Sequence, residues 1–152
     1  MGDDKRHVEF AKFVARQWPR VGSILVVADG KAELARVLCD RVRKVRVVEA
    51  KPRLKGRPPK GLTIQRGWFA EGSEVTEDLI VGMHPDEATS EIILAARRNH
   101  LPWAVVPCCI KGRLASSVRH FSGWLNALAS LDRGALRTLL PIRGKNMVLW
   151  HR

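Results

Sequence analysis

The sequence predicts an α/β fold: a mostly parallel twisted sheet with helices on both faces and a C-terminal antiparallel hairpin. Three observations predict it. Short runs such as Ser23–Val27 and Trp103–Pro107 have strand length and almost no polar alternation, the pattern of strands buried on both faces. Segments with helical spacing of apolar residues fall between such runs, so that strand and helix alternate five times. Two β-prone runs around Arg143-Gly144-Lys145-Asn146 close the chain, which is a hairpin signal. A length of 152 residues, 45% hydrophobic and 28% charged, suits a single domain over 1–152 with one core.

The elements follow in order. Asp4 to Gln17 reads as a helix on the spacing of Val8, Ala11, Phe13, Val14 and Trp18, with Asp3 or Asp4 as cap and Pro19 as stop. Ser23–Val27 is the first strand and Ala28-Asp29-Gly30 its turn. Lys31 to Arg41 reads as the next helix and Val45–Val48, closing on Glu49, as the second strand. Ala50 to Lys60 holds three prolines and five basic residues between 51 and 60, so it is a loop. Leu62–Ile64 and Asp78–Met83 are the third and fourth strands. Thr89 or Ser90 caps a helix running to Asn99. Trp103–Pro107 is the fifth strand, and Ser116 or Ser117 caps a helix carrying Val118, Phe121, Trp124, Leu125, Leu128 and Leu131. Leu136–Ile142 and Met147–Trp150 form the hairpin.

Charge is unevenly spread. The 27 Lys and Arg against 15 Asp and Glu give +12. Residues 41–66 and 97–152 carry +9 each, while 71–91 hold seven acids and no base. Such a balance points to a polyanionic partner, RNA or a ribonucleoprotein, or to a solubilising surface. The acidic stretch is expected to act locally, toward a helix N-terminus, a cation or a cationic ligand, or else to be a solvated face. No apolar run approaches membrane-spanning length, and Met1-Gly2-Asp3-Asp4 does not resemble a secretory signal. Cys39, Cys108 and Cys109 are too few for a disulfide framework, so reduced thiols and a cytoplasmic location are expected.

In a parallel sheet ligands bind where strands end, at the point where the strand order reverses. Here the strand ends are Ala28-Asp29-Gly30, Glu49, Gly67-Trp68-Phe69, His84-Pro85-Asp86 and Cys108-Cys109. Glu49 follows Gly30 by 19 residues, a spacing that sets a carboxylate at a ribose diol; the alternative is an ordinary turn with Glu49 paired to Lys51 or Arg53. The full dinucleotide glycine fingerprint is absent, which disfavours a nucleotide-dependent reductase.

The run Ile24-Leu-Val-Val-Ala-Asp-Gly-Lys-Ala-Glu-Leu34 resembles the first strand and Gly-rich loop of class I S-adenosylmethionine-dependent methyltransferases, a Rossmann-like family. The resemblance covers roughly residues 20–150. Its more specific part is a narrower branch carried by His84-Pro-Asp86 and Val106-Pro-Cys-Cys109, with Leu140-Pro-Ile-Arg-Gly-Lys-Asn146 before Val148-Leu-Trp150. It implies S-adenosylmethionine as cofactor, held by Ala28, Asp29, Gly30, Glu49, Gly67 and Trp68. In it Glu49 takes the ribose hydroxyls and Gly67-Trp68-Phe69 lie beside the adenine. It also implies a final antiparallel strand inserted beside the fifth. Three positions depart from the family: Val26 replaces the acid of the first strand, and Ala28 and Ala32 replace the first and third glycines. Asp29 then takes over part of the acidic role toward the methionine amine.

His84 is a candidate general base, with Asp86 to orient it; equally, Asp86 caps the next helix and His84 shapes a turn. Cys108 and Cys109 are candidate walls of the acceptor pocket, since adjacent cysteines without a second pair lack zinc-site spacing and no metal is expected. Lys51, Arg53, Lys55, Arg57 and Lys60 are candidate phosphate contacts of an RNA substrate, or a solvated loop. Two functions follow: a methyltransferase acting on RNA or on a protein in an RNA-rich setting, and a catalytically silent methyltransferase-like module that binds RNA or a ribonucleoprotein.

Overall fold

A computed structural model of the chain describes residues 4–152. Seven strands form one sheet: β1 (Ser23–Val27), β2 (Lys44–Glu49), β3 (Leu62–Arg66), β4 (Leu79–Met83), β5 (Trp103–Val106), β6 (Leu136–Leu139) and β7 (Met147–His151). Their order is β3-β2-β1-β4-β5-β7-β6. The first five are parallel, and β7 runs antiparallel between β5 and β6. The predicted hairpin and its insertion beside the fifth strand are both present. The order reverses at β1, which has β2 on one side and β4 on the other, so the loop after β1 sits at the switch point.

The central strands β1, β4 and β5 are apolar because both faces are covered, whereas β3 and β6 at the sheet edges are largely exposed. Successive side chains point to opposite faces, so β1 divides its residues between two cores. Ile24 and Val26 pack with Val45, Val47, Phe10, Phe13, Leu34 and Leu38, under α1 (Arg6–Gln17) and α2 (Glu33–Cys39). Leu25 and Val27 pack with Ile80, Ile92, Ile93, Trp124 and Leu128, under α3 (Thr89–Arg98) and α4 (Phe121–Ser130). Each such fully buried side chain contributes about 1.5–3 kcal/mol by transfer from water.

The fivefold alternation is corrected. No helix separates β2 from β3 or β3 from β4; those links are segments 50–61 and 67–78. The first cannot wind because of its prolines, and the second has no apolar period. The caps are corrected too. Lys5 occupies the N-cap of α1 and no side chain makes a capping hydrogen bond there, so Asp4 does not cap it, and Asp3 lies outside the described residues. A 3-10 turn, Asp86–Ala88, precedes α3, and Thr89 Oγ1 donates to the Asp86 carbonyl at 2.8 Å instead of capping. Ser116 and Ser117 belong to a 3-10 turn, and α4 starts later, at Phe121. α2 is shorter than predicted because Ala32, just before it, is in the left-handed region at φ 57°.

The acidic stretch is held by cations. Arg46 on β2 donates from Nε and Nη2 to the two oxygens of Glu77, both at 2.8 Å, and the Glu77 side chain is 2% exposed. Burial opposes ionisation of Glu77, but the Arg46 bonds outweigh it and hold its pKa below the ordinary value. Arg113 bridges Glu71 at 3.2 Å and Glu91 at 2.9 Å. Asp78 Oδ2 accepts from the amides of Gly22 and Ser23. Among the described residues no helix is long and apolar enough to cross a membrane.

Candidate functional site at the carboxyl edge

A cavity of about 680 Å³ opens at the carboxyl ends of β1, β2, β3 and β4. Its volume is in the range of small-molecule sites. The switch point supplies Ala28, Asp29 and Gly30; the end of β2 supplies Glu49, Lys51 and Arg53. Gly67, Trp68 and Phe69 follow β3, and His84 and Asp86 follow β4. Every cofactor-binding residue expected from the sequence therefore lines one cavity. Cys108 and Cys109 are not in its lining, and neither are Lys55, Arg57 and Lys60, which are exposed farther along the same loop.

The backbone around the cavity is strained. Ala28 (φ 60°), His84 (φ 52°) and Asp86 (φ 50°) are left-handed, as is Ala32 behind them. Each costs roughly 1 kcal/mol in a residue with a Cβ, and such strain gathers at functional sites. The two alanines that stand at glycine positions thus keep a backbone geometry that glycine adopts freely. Gly30 is different: a Cβ there would lie 2.7 Å from Arg53 Nη2. The Arg53 amide also donates to the Gly30 carbonyl at 2.6 Å, which pins the basic loop onto the switch-point loop.

Asp29 is 9% exposed, and its Oδ2 accepts from the Ala35 amide at 2.8 Å, so it serves the start of α2. Burial pushes its pKa up to about 6, with the backbone amides of α2 working the other way. One oxygen of that carboxyl is engaged by the helix, while Asp29 still lines the cavity. Glu49 is half-buried, and its Oε1 accepts from the Lys51 amide at 2.8 Å. Trp68 lines the cavity and is 78% exposed.

His84 Nε2 lies 3.3 Å from the Lys145 carbonyl. A carbonyl only accepts, so Nε2 carries the proton and Nδ1 keeps its lone pair. Burial lowers the His84 pKa, and the Lys145 bond opposes that shift. Asp86 does not orient it. Asp86 Oδ1 accepts from Cys108 Sγ at 3.4 Å, and Oδ2 lies 3.7 Å from Lys111 Nζ. Nor does the Asp86 carboxylate cap α3; its backbone carbonyl takes the Thr89 hydroxyl. Burial pushes the Cys108 thiol up to about 12, with Cys109 and Asp86 adding to the shift, so by itself it is a poor nucleophile.

Lining residues that the sequence does not mark include Arg6 and His7, which α1 brings over the edge. His7 Nε2 lies 2.8 Å from Glu33 Oε2, and its Nδ1 is buried with no partner. No local signal could find them, because α1 meets the edge only through tertiary packing.

No protein-family model matches the sequence. No curated protein matches it either. Solved structures do. The sugar N-methyltransferase KedS8 from Streptoalloteichus superposes with a TM-score of 0.61 at 16% identity, over 98% of this chain and 87% of that one. The N-methyltransferase NodS from Bradyrhizobium japonicum, bound to S-adenosyl-L-homocysteine, superposes at 0.60 and 12% identity, over 96% and 83%. The mitomycin 7-O-methyltransferase MmcR superposes at 0.59 and 15% identity over 95% of this chain, which spans 52% of that enzyme's length. The chain likewise spans 50% of the length of an amino pentose methyltransferase from Micromonospora echinaspora. At such identities the likeness is one of architecture, and the chain has the Rossmann-like fold of the S-adenosylmethionine-dependent methyltransferases.

Proposed function

We propose that this chain binds S-adenosylmethionine in the switch-point cavity and transfers its methyl group to an acceptor in RNA. The observation that carries the reading is the convergence of Ala28–Gly30, Glu49, Gly67–Trp68 and His84 on a single cavity in a methyltransferase fold. The residues fit the donor. Glu49, the last residue of β2, is the carboxylate for the ribose hydroxyls. The Arg53 guanidinium over Gly30 offers a bidentate partner to the methionine carboxylate. Trp68 offers a flat face to the adenine or to an acceptor base.

The bound donor supplies a sulfonium methyl to a nitrogen or oxygen nucleophile. His84, neutral and with Nδ1 unprotonated, is suited to take the proton that the acceptor loses. The His-Pro-Asp and Val-Pro-Cys-Cys segments would mark a branch in which this edge is shared by acceptor and cysteines. RNA is favoured as acceptor by Lys51 and Arg53 in the lining and by exposed Lys55, Arg57 and Lys60 on the same loop.

A second reading, a catalytically silent RNA- or ribonucleoprotein-binding module, is favoured by Ala28, whose methyl group at the cavity narrows the backbone's approach to a ligand; Ala32 is buried in the core behind it. Titration calorimetry with S-adenosylmethionine and S-adenosylhomocysteine, followed by methyl transfer from labelled donor to total RNA, separates the two. Saturable binding with label in RNA supports the enzyme. Salt-sensitive RNA binding without donor binding supports the silent module. A His84→Ala variant that kept full transfer would remove His84 as the base.

A further inference from the structure

Asp86, Cys108 and Cys109 meet on the outer side of the cavity edge. Their ligand atoms, one carboxylate oxygen and two sulfurs, all lie within 4.8 Å of one another. Cys108 Sγ is 3.4 Å from Asp86 Oδ1 and 3.4 Å from Cys109 Sγ. The sheet makes this cluster: β4 and β5 pair in parallel with Met83 beside Val106, so residues just beyond both strand ends come side by side.

We propose that this cluster binds a thiophilic divalent cation of the zinc class, with Cys108, Cys109 and Asp86 as its three protein ligands. The spacing fits. Zinc bonds of about 2.3 Å to sulfur and about 2.0 Å to oxygen put ligand atoms roughly 3.5–3.8 Å apart around a tetrahedron. Two sulfur donors select a soft cation over magnesium or calcium. Three protein ligands leave the fourth position for water or substrate, the form of a catalytic rather than a structural zinc site. Packing does not account for the pair, because Cys109 is exposed. Lys111, 3.7 Å from Asp86 Oδ2 and half exposed, steadies the carboxylate and can swing clear. Binding releases the thiol protons to solvent as the sulfurs become thiolates. The cluster adjoins the methyl-donor cavity through Asp86, which belongs to both, but cation binding does not depend on the donor reading.

The test uses the full chain, reduced, stripped with a chelator and free of methyl donor. Titration with Co²⁺ is expected to give a thiolate-to-cobalt charge-transfer band and intense tetrahedral d–d absorption, saturating at one equivalent, which Zn²⁺ then displaces. Cys108→Ser combined with Cys109→Ser is expected to abolish the charge-transfer band. Asp86→Asn is expected to retain that band and weaken Zn²⁺ at least about tenfold, while Cys39→Ser changes nothing. In the unmodified chain Zn²⁺ is expected to protect Cys108 and Cys109, but not Cys39, from alkylation read by mass spectrometry, a measurement independent of variant folding. Absence of the charge-transfer band, its persistence in the double variant, its loss in Cys39→Ser, or equal alkylation with and without Zn²⁺ would each overturn the proposal.

Discussion

Arg53 lies across Gly30. Its amide donates to the Gly30 carbonyl at 2.6 Å, and its guanidinium takes the space that a side chain at position 30 would need. The contact joins the basic loop after β2 to the switch-point loop after β1, so Lys51 and Arg53 of that loop belong to the cavity and the outer cations face solvent. Arg53→Ala should weaken S-adenosylhomocysteine about tenfold, the worth of one charge-assisted hydrogen bond, with little change in stability. Lys55→Ala should leave that affinity unchanged and lower the salt dependence of RNA binding by about one unit of slope. Calorimetry and salt-titrated RNA binding measure the two; equal donor affinity for Arg53→Ala and the parent would remove Arg53 from the site.

Ala28 holds a glycine's conformation at φ 60°. Restoring glycine there removes left-handed strain of about 1 kcal/mol, less part of that gain returned to the freer unfolded chain. Ala28→Gly should therefore raise the urea midpoint and should not weaken donor binding. A lower midpoint would mean that the Ala28 methyl contributes more by packing than its backbone costs.

Asp29 makes stability depend on pH. Its folded pKa is raised from 3.8 to about 6, so the folded state holds the proton more tightly than the unfolded chain. The associated stability is fully present below pH 3.8, is lost as pH rises, and is gone above about pH 6. The amount is on the order of 3 kcal/mol. Asp29→Asn keeps an acceptor for the Ala35 amide and has no proton to lose. The stability difference between variant and parent should grow in favour of the variant from pH 4 to pH 7, read by chemical denaturation at each pH. A flat difference would show that Asp29 is ionised without penalty.

The Arg46–Glu77 pair fixes the acidic segment to β2. Arg46→Met leaves the Glu77 carboxylate, 2% exposed, without its partner, which costs about 3–5 kcal/mol. Thermal unfolding should show the loss, and Glu77→Gln added to Arg46→Met should recover much of it, because the uncompensated charge is then gone. A loss below about 1 kcal/mol would place the pair among ordinary surface contacts.

The strands were legible because a parallel sheet covered on both faces needs almost wholly apolar runs, as in Leu79–Met83 and Trp103–Val106. Much of the cavity lining was legible for a related reason: it is made of short segments at or just beyond the ends of those runs, such as Ala28–Gly30 and Glu49. Helix starts were not, because Thr89, Ser116 and Ser117 all satisfy the local cap pattern while backbone geometry decides which residue opens a helix. Arg6 and His7 reach the cavity only through the packing of α1. Spacing alone could not show that Asp86 stands beside the two cysteines. Asp86 is 22 residues from Cys108, and only the β4–β5 register brings it within 3.4 Å.

The most direct test of the account is titration calorimetry of the full chain with S-adenosylhomocysteine. Saturable one-site binding is expected, weakened in Arg53→Ala and in Glu49→Ala. No heat at millimolar ligand would contradict it and leave a methyltransferase fold without its donor.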